Sequence, residues 1–577
     1  MVFYRILEER LQRAVIGLLP DTDPSSVLIR PCPDPQHGDY QSSVVMSLAK
    51  VLKTNPRQLA MAVLARLDVR DWCDSVEVAG AGFLNFRIRD EILCEQVSDA
   101  SRGKHLFFTR SPHPRTIIVD FSSPNVAKPM HVGHIRSTVL GDCLSRVLRL
   151  LGHQVVTDNH IGDWGTQFGK LLVGWKGHLD QMALDSDPIG EMERLYKLVN
   201  AASETDPAVM NAARQELVKL QASDSENLAI WREMIALSQR QFDTIYSRLG
   251  VRFDHALGES FYNPRLKATV LELVNSGLAQ DSEGAKAVFF EDVPELKAHP
   301  ALVQKSDGAA NYTTTDLATL QYRMETWKPA EIIYVTDGRQ QLHFKQFFAI
   351  FQRWHPEINV KLVHVWFGSI LGEDGKPFKT RSGETVKLGE LLDEAQDRAL
   401  AVVNQKNAEF DDKSRREIAR IVGIGAVKYA DLLPNRQSDY VFNWDKMLAL
   451  SGNTAPYLQY GYTRIRSILR KASDSDKPWT TSPDVIVALK VEEEISLAKH
   501  LLNFGLVLEM VGSEYRPNYL CNYLFELAGH FARFYEKCPV LKSELAERNS
   551  RLALCEVTGR VLKEGLGLLG IETSERM

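Results

Sequence analysis

The sequence predicts an α/β protein in which a central domain with a parallel sheet follows a small α+β domain and precedes a helical bundle. From Thr116 onward, short apolar runs typical of buried strands alternate with apolar residues at helical spacing, which predicts a parallel sheet with helical crossovers. Beyond about Gly452 the strand patterns nearly vanish, which predicts the bundle. We therefore expect three domains, at residues 1–110, 111–445 and 446–577.

The predicted elements of the N-terminal domain are a helix at about 3–19, a helix at about 42–67 and a strand pair at about 76–88, followed by a linker near 100–115. The first β-α-β unit of the central domain comprises 116–120, 135–151 and 154–158. A polar helical insertion is expected at about 170–250. The alternation then resumes with helix 315–326, strand 331–335, helix 340–354 and strand 361–367.

The composition limits the class of protein. The chain has 577 residues, 44% hydrophobic and 25% charged, which is enough for several cores. Its net charge of −5 gives no overall basic signal, although a local basic face for RNA would be compatible with it. Seven scattered cysteines without a Cys-x-x-Cys pair indicate neither a zinc site nor a disulfide framework, and they fit a reducing cytoplasm. We expect no secretory signal and no membrane span, because no uninterrupted apolar run is long enough.

The segment from Phe121 to His134, Phe-Ser-Ser-Pro-Asn-Val-Ala-Lys-Pro-Met-His-Val-Gly-His, joins the first central strand to the following helix. His131 and His134 therefore lie at a helix entrance, where unpaired N–H groups and the positive dipole end favour an anion such as the ATP phosphate chain. Their imidazoles could donate hydrogen bonds to phosphoryl oxygens, and Gly133 leaves room for an adenine ring against the backbone. Alternatively, the two histidines are ordinary cap and turn residues. The other motifs of the chain have to distinguish these two interpretations.

Polar segments also follow the other predicted strands, at the edge where open parallel sheets bind ligands. Residues 159–165 suggest a tight loop against a ligand, with a structural turn as the alternative. Tyr312 and Asp316 could surround a cationic group, because a carboxylate matches a planar guanidinium best. The alternative for Asp316 is dipole complementarity in the first turn of a helix that Thr314 or Thr315 would cap.

A glycine-bounded basic loop, residues 372–383, follows the last predicted strand. Lys376 and Lys379 could neutralise a triphosphate as pyrophosphate leaves. A solvated basic hairpin is the alternative, and the position of the loop at the sheet edge favours the functional interpretation. His343 lies at the same edge, where a lone histidine is more typical of a structural residue.

The strand, the segment Pro-Asn-x-x-Lys-x-x-His-Val-Gly-His, the helix and the later Lys-Pro-Phe-Lys-Thr loop resemble the HIGH and KMSKS signatures of class I aminoacyl-tRNA synthetases. Within that class the chain is similar to the arginyl family, in that family's order and over nearly the whole chain. The segments that carry the similarity are 121–128, 159–167, 312–316, 427–431, 452–460 and 569–577. The loop departs from the family pattern at Pro377 and Phe378, which replace Met-Ser, and at Thr380, which replaces the final Ser.

The resemblance implies a Rossmann-type catalytic domain that uses ATP, accompanied by Mg²⁺, to activate L-arginine and then passes the arginyl group to the 3′ end of tRNA(Arg). It also implies that activation needs bound tRNA and that no metal is tightly bound. The residues that it assigns to ATP and catalysis are Lys128, His131, Gly133, His134, Lys376 and Lys379. Those that it assigns to arginine are Asn125, Asn159, Tyr312, Asp316 and Gln340, with Asp316 as the guanidinium partner.

For the RNA, the resemblance implies two contact regions. The N-terminal domain resembles a module that touches the tRNA elbow, and Phe83 and Asn85 match its nucleotide-contacting pair of an aromatic ring and an amide. The C-terminal domain resembles the anticodon-binding module, with Tyr457 and Tyr460 at RNA-facing positions. As alternatives, Phe83 and the two tyrosines would be core residues. We expect a cytoplasmic monomer.

Three other functions are compatible with parts of this pattern. A different class I synthetase, such as the cysteinyl one, would share the helical C-terminal type, but a plausible set of zinc ligands is missing. A small nucleotidylyltransferase with a HIGH-type motif would need no flanking domains. A catalytically silent tRNA-binding paralogue would not need His131, His134, Asp316 and Lys379, all of which are present.

Overall fold

The computed structural model describes residues 2–378, 385–406, 409–475, 478–479 and 485–577. The chain divides into two compact units. The terminal unit combines Met1–Ser111 with Ala449–Met577, and the central unit comprises Pro112–Leu448.

The N-terminal part of the terminal unit is built on an antiparallel sheet. The strand order is Arg30–Pro31, Tyr40–Ser42, Phe83–Ile88 and Cys73–Ala79. The helices are Phe3–Ile16, the 3-10 turn Pro24–Ser26, Val44–Leu52, Pro56–Leu64 and Asp90–Ser101. The single helix expected at about 42–67 is wrong: Lys53 takes a left-handed φ of 54°, and Asn55 caps a new helix that begins at Pro56.

The C-terminal part of the terminal unit is helical, as predicted. Its described helices are Ala455–Ser473, Glu492–Leu502, Phe504–Glu514, Asn518–Lys537 and Leu545–Leu568. The last residues of the chain, the tail 572–577, run along the first of these helices. Gln459 and Thr463 each donate a 2.8 Å hydrogen bond to a tail carbonyl, and the Tyr462 hydroxyl donates to Glu575 at 2.8 Å.

Polar contacts join the two parts of the terminal unit. The Tyr4 hydroxyl donates to Glu509 at 2.6 Å, and the Tyr40 hydroxyl donates to Asn503 Oδ1 at 2.8 Å. Both tyrosines are buried. The beginning and the end of the chain therefore share one packed unit.

One stretch of the described chain, Glu492–Glu514, is long and apolar enough to cross a membrane, which the sequence pattern did not predict. The helix is divided at Asn503. Half of its most apolar window is buried inside the protein, as in the core helix of a soluble protein, so the stretch is weak support for a membrane span.

The central unit is organised by a four-stranded parallel sheet, as predicted. The strand order is Lys361–His364, Glu331–Val335, Thr116–Phe121 and Gln154–Asp158. The strand that follows Thr116–Phe121 in the chain pairs with one side of it, and the next central strand pairs with its other side. The strand order therefore reverses at Thr116–Phe121. Open parallel sheets bind ligands at such a reversal, outside the carboxyl ends of the strands.

Helix Val132–Leu150, the signature helix, follows the first strand and is buried along most of its length. A Cβ atom at Gly141 would overlap the Phe121 side chain, so the glycine lets this helix approach the strand closely. The Ser137 hydroxyl donates to the Val335 carbonyl at 2.6 Å. The helix is thereby held to two strands of the sheet.

The other helices of the central unit include the predicted insertion. Between the second and third central strands they are Gln167–His178, Gln181–Ser186, Pro188–Thr205, Pro207–Gln221, Ser225–Leu249, Glu259–Asn275 and Tyr312–Trp327. After the third strand they are the 3-10 turn Gly338–Gln340, Gln341–Trp354, Leu388–Lys406, Asp412–Leu432 and Trp444–Met447.

Two small sheets complete the central unit. One is antiparallel and consists of Ala279–Ser282, Ala285–Val288 and Ala301–Gln304. The other pairs Ile370–Leu371 with Tyr440–Val441 in parallel. The antiparallel sheet was not predicted, because its strands are only four residues long and carry no clear alternation.

A continuous apolar core supports the central sheet. It joins Ile118 and Ile332 of the sheet to Leu317 and Phe347 of two helices and to Val303 of the antiparallel sheet, all fully buried. This core holds helix Tyr312–Trp327, which carries Tyr312 and Asp316, and helix Gln341–Trp354, which Gln340 immediately precedes.

Candidate active site

Two loops at the carboxyl edge of the central sheet are joined to each other. The Val126 N–H donates to the Gly162 carbonyl at 3.0 Å, and the Gly162 N–H returns a 3.0 Å bond to the first loop. The Ser123 N–H donates to Asn159 Oδ1 at 3.0 Å. The loops after the first two central strands therefore form one wall, on which Asn125 is exposed.

The first of these loops is strained. Ser122, Ser123 and Ala127 adopt positive φ angles of 76°, 48° and 60°. Non-glycine residues in this region cost about 1–3 kcal/mol each and persist only where their surroundings hold them. Here the Ala127 N–H donates to the Ser238 hydroxyl at 3.0 Å, and the Ser122 N–H donates to the Ser137 hydroxyl at 2.8 Å.

His131 and His134 cap the signature helix reciprocally. His131 Nδ1 accepts from the Gly133 N–H at 3.1 Å, and His134 Nδ1 accepts from the His131 N–H at 3.1 Å. A ring whose Nδ1 accepts a hydrogen bond is neutral and carries its proton on Nε2, so each ring keeps an Nε2–H donor. The structure confirms the cap interpretation, and the cap leaves the donor that a phosphate oxygen would use.

The surroundings favour neutral rings beside positive charge. Burial lowers the pKa of His134 to about 3, and His131 adds to the shift. Burial also lowers the pKa of His131, as do the nearby cations Arg339 and Lys128. The Lys128 ammonium lies 5.2 Å from the ring centre of Tyr196. Neutral donors, two cations and a helix N-terminus together suit a polyanion.

The Lys376 hairpin, residues Ile370 to Phe378, contains the described part of the second signature. The Gly372 N–H donates to the Lys376 carbonyl at 2.7 Å, and the Phe378 N–H donates to the Ile370 carbonyl at 3.0 Å. Lys376 is exposed at the turn. Lys379 lies outside the described residues.

Asp316, Tyr312 and His343 form a second cluster. His343 Nε2 lies 2.5 Å from Asp316 Oδ2, and the Tyr312 ring meets the His343 ring edge-on with centroids 4.7 Å apart. Tyr312 is 60% exposed, whereas the Asp316 side chain is 27% exposed. His343 therefore orients a carboxylate that still has acceptor capacity for a guanidinium.

The helix that carries Asp316 begins three residues earlier than predicted, at Tyr312. Asn311 is its N-cap residue, and the Thr314 hydroxyl donates to the Val303 carbonyl at 2.5 Å. The prediction that Thr314 or Thr315 caps the helix is wrong, because this contact with the antiparallel sheet uses the Thr314 hydroxyl inside the helix. Asp316 lies beyond the first turn, where the helix dipole has little effect.

Glu259 is a second carboxylate of this region, which sequence analysis missed. Its pKa is raised to about 7, mainly by burial; the charge of His160 opposes this shift, and the charges of Asp316 and Asp163 contribute to it. Glu259 is the first residue of helix Glu259–Asn275. An acid at a helix start is usually explained by the dipole, so only the fold shows that this one lies near Asp316.

Arg323 forms a buried triad with two aspartates at the carboxyl edge of the sheet. Its Nη2 donates to Asp120 Oδ2 at 2.6 Å and to Asp158 Oδ2 at 2.8 Å. All three side chains are buried, and burial raises the pKa of Asp120 although Arg323 opposes the shift. Because an internal guanidinium already pairs with both of these buried carboxylates, the less buried Asp316 and Glu259 are better placed to bind an added cation.

Three other predicted arginine contacts lie in different surroundings. Asn159 is buried, and its amide donates to the Tyr246 hydroxyl at 3.0 Å while its oxygen accepts from Ser123. It therefore joins the two loops. Asn125 and Gln340 are exposed, and Gln340 follows Arg339 at the end of a 3-10 turn.

The four predicted RNA contacts all lie in the terminal unit. Phe83 is half-buried, whereas Asn85 is buried, and its Oδ1 has no hydrogen-bond partner within the described residues. Tyr457 is half-buried beside Phe525, with ring centroids 5.7 Å apart. Tyr460, at 48% exposure, is the most accessible of the four.

The described residues give less support to a metal site or to a second ligand site. In the ranges that the structure describes, no group of three or more His, Cys, Asp or Glu side chains is arranged to hold a metal ion. A groove of about 680 Å³ lined by Lys328, Pro329 and Asn359 lies beside the amino ends of two central strands. That edge is opposite the one where open parallel sheets bind ligands.

Known families match consecutive parts of the chain. The family described as "Arginyl tRNA synthetase N terminal domain" matches residues 5–88. The family "tRNA synthetases class I (R), catalytic domain" matches residues 96–444, and "DALR anticodon binding domain" matches residues 458–577.

Individual proteins match over the full length. An arginine–tRNA ligase from Thermosynechococcus vestitus is 45% identical over 99% of both chains, and one from Chromobacterium violaceum is 44% identical over 100% of both. The solved arginyl-tRNA synthetase of Thermus thermophilus is 26% identical, with a TM-score of 0.84 over 100% of both chains. That of Plasmodium falciparum is 28% identical, with a TM-score of 0.82 over 100% of this chain and 99% of the other.

Proposed function

Because the chain belongs to the class I arginyl-tRNA synthetases and is an arginine–tRNA ligase, we propose how its residues divide that reaction. An arginine carboxylate oxygen attacks the α-phosphorus of ATP, so that arginyl-adenylate forms and pyrophosphate leaves. A ribose hydroxyl at the 3′ end of tRNA(Arg) then attacks the arginyl carbonyl carbon, and AMP leaves. The cysteinyl and catalytically silent alternatives are set aside, since the full-length relatives are arginine ligases.

We assign the ATP phosphates to the entrance of the signature helix. The observation that carries this assignment is the reciprocal cap, which leaves neutral Nε2–H donors on His131 and His134 at a helix N-terminus. Fixed donors stabilise the charge that grows on the phosphoryl oxygens as the carboxylate attacks. Gly133 leaves room for the adenine, and the lysines Lys128, Lys376 and Lys379 offset the charge of the leaving pyrophosphate.

We assign the arginine guanidinium to Asp316, with Tyr312 beside it and Glu259 as a second carboxylate. The coupling of the Glu259 pKa to the charge of Asp316 supports a common anionic pocket. Asn125 and Gln340 are exposed and are assigned to the polar groups of arginine. For Asn159 a direct contact stays a prediction, and its internal hydrogen bonds support a role in holding the loop of Asn125.

For tRNA we propose that residues 1–110 bind the elbow, that 111–445 carry the chemistry and that 446–577 bind the anticodon. Exposed Tyr460 and half-buried Tyr457 and Phe83 are the stacking candidates. Asn85 would have to become accessible before its amide could meet a base edge.

We further propose that ATP enters with Mg²⁺ as its substrate complex, and that the enzyme is a cytoplasmic monomer. The seven cysteines are free, which fits a reducing compartment. Light scattering during size-exclusion chromatography should give the mass of a single chain; a mass of two chains would contradict the monomer.

The central experiment is aminoacylation with each amino acid in turn, together with ATP–pyrophosphate exchange in the presence and absence of tRNA(Arg). Arginine should be charged, and exchange should require the tRNA. Equal exchange rates with and without tRNA would contradict the proposed tRNA requirement, and charging of another amino acid at the same rate would contradict the pocket assignment.

A further inference from the structure

Arg136 lies two residues after His134 in the signature helix and is only 1% exposed. Its Nη1 donates to the Gly368 carbonyl at 2.8 Å and to the Ser438 carbonyl at 3.2 Å. Its Nε lies 3.1 Å from Asp431 Oδ1. One guanidinium therefore joins the signature helix to three distant segments of the central unit.

Two of these partners support the Lys376 hairpin. Gly368 precedes the strand Ile370–Leu371 from which the hairpin begins, and Ser438 precedes the strand Tyr440–Val441 that pairs with it. The Arg136 guanidinium also lies 5.1 Å from the ring centre of Tyr440. A movement of Arg136 would therefore be transmitted to the strand pair on which the turn of Lys376 is built.

The chain returns to the same helix entrance after the second signature. The Val132 N–H donates to the Val386 carbonyl at 3.0 Å, and the Leu388 N–H donates to the Met130 carbonyl at 2.8 Å. The segment that leaves at Gly368 is thus tied to the signature helix by a side chain, and the segment that returns at Val386 is tied to it by the backbone.

We propose that Arg136 is a positioning residue for the activation step, because it sets the separation between the two histidines at the helix entrance and the hairpin of Lys376. This inference rests on the proposed assignment of His131, His134 and Lys376 to ATP. A triphosphate held from two sides is sensitive to their spacing, since a displacement of about 1 Å at a reacting centre costs on the order of 100-fold in rate. The competing interpretation is that Arg136 and Asp431 form a buried ion pair that contributes only to stability.

The test uses two variants with different defects. Removing Arg136 alone would leave Asp431 buried and uncompensated, and the protein could fail to fold. The double variant Arg136→Met/Asp431→Leu removes both charges with similar volume and cuts the link to the two carbonyls. The variant Arg136→Lys keeps the charge, but a single ammonium cannot reproduce the fork that reaches two carbonyls and a carboxylate.

In exchange assays with saturating tRNA(Arg), we expect both variants to lower kcat/KM for ATP by about 100-fold. The KM for arginine should change by less than about twofold, because the described contacts of Arg136 include none with Asp316, the assigned guanidinium partner. The thermal midpoint of the double variant should stay near that of the parent protein, since paired removal of buried charges is often neutral.

The matched control is the buried pair of Arg551 and Glu494 in the terminal unit, whose Nε–Oε1 distance is 2.6 Å. Arg551 also donates to the Pro539 carbonyl at 2.9 Å, so the pair has the same character as that of Arg136. Arg551→Met/Glu494→Leu should leave the ATP kinetics unchanged.

The positioning role would be overturned by parental ATP kinetics in a folded double variant. If the double variant does not fold, parental ATP kinetics in folded Arg136→Lys would overturn it. The companion variant His134→Asn separates this outcome from a failure of the ATP assignment. Normal ATP kinetics in His134→Asn would contradict that assignment, whereas an impaired His134→Asn beside normal Arg136 variants would contradict the positioning role alone.

Discussion

At the scale of single residues, the two capping histidines combine a structural and a chemical role in one ring each. His134→Asn should keep an acceptor for the His131 N–H but lose the Nε2–H donor. We expect kcat for exchange to fall by about 100- to 1,000-fold, the usual cost of one oxyanion donor. Stability should change by less than about 1 kcal/mol because the cap is kept. Thermal unfolding and exchange kinetics check both, with the exposed His178→Asn as control.

A second prediction concerns the carboxylate of Asp316 and its contact with arginine. Asp316→Asn removes a charge-assisted contact with the guanidinium, which is worth about 1.5–3 kcal/mol, so the KM for arginine should rise by about 10- to 100-fold. The KM for ATP should stay within about twofold. Steady-state charging measures both, and Glu325→Gln on the same helix is the control. Equal small changes in both constants would remove the role of Asp316.

Glu259 predicts a pH dependence of arginine binding. Its pKa is raised to about 7 by burial, so the free enzyme holds a growing neutral fraction of this carboxyl as the pH falls below 7. A guanidinium binds the anion, and the KM for arginine should therefore rise between pH 8 and pH 6. Glu259→Gln should abolish that change, whereas Glu272→Gln, exposed on the same helix, should not. A parental pH profile in Glu259→Gln would contradict this role.

The raised pKa of Glu259 also makes the stability of the folded protein depend on pH. Because the folded-state pKa of Glu259 lies above the unfolded value, the group favours the folded state at low pH. That contribution is lost as the pH rises from about 4.5 through about 7. At neutral pH, bound arginine should restore part of this stability. The rise in thermal midpoint on addition of arginine should therefore be smaller in Glu259→Gln than in the parent protein.

At the scale of elements, the contact between the signature helix and its strand depends on Gly141. Gly141→Ala places a methyl group against Phe121 and should destabilise the protein by about 1–3 kcal/mol. Gly177→Ala is the matched control, since nothing lies within 4 Å of a Cβ atom there and the helix should be slightly stabilised. Urea unfolding compares the two. Similar midpoints would show that the close approach at Gly141 carries no energy.

The elements differ in how far local pattern predicts them. Strands 154–158 and 331–335 agree with the predicted bounds, because each has β-branched residues at its centre and lies between turn residues. The helix expected at 42–67 fails because apolar spacing continues across Lys53, whose backbone conformation ends the first helix. The antiparallel sheet was missed because its short strands have no period to detect.

The residues of the candidate site also differ in how well the sequence predicts them. The role of Asp316 stays a prediction from its motif. The position of His131 and His134 at a helix entrance was predictable, because a strand-to-helix junction and a motif coincide there in the sequence. Glu259, Arg323 and Arg136 were not, since each acts through partners far away along the chain. No local periodicity records that Arg323 meets two strand ends, or that Arg136 meets Gly368. Such pairings are set by the tertiary arrangement of the elements.

At the scale of the whole molecule, the tail 572–577 links the end of the chain to the helix that carries Tyr457 and Tyr460. Deleting residues 573–577 removes the acceptors of Thr463 and Tyr462, and should cost about 1–2 kcal/mol of stability. The KM for tRNA should rise while that for ATP stays constant, as measured by charging at varied tRNA. Glu575→Gln keeps the tail backbone and should show a smaller effect; an unchanged tRNA KM after the deletion would contradict this link.

The terminal unit, built from residues 1–111 and 449–577, also sets an order of events during synthesis. Its first segment is synthesised long before the helices that Tyr4 and Tyr40 contact. At about 5–20 residues per second, the intervening chain takes on the order of half a minute to make. During that time the central unit can fold alone, while the first segment keeps part of its apolar surface in water. Residues 1–111 thus reach their final packing only after residues 449–577 have been made, although they are synthesised before the central unit.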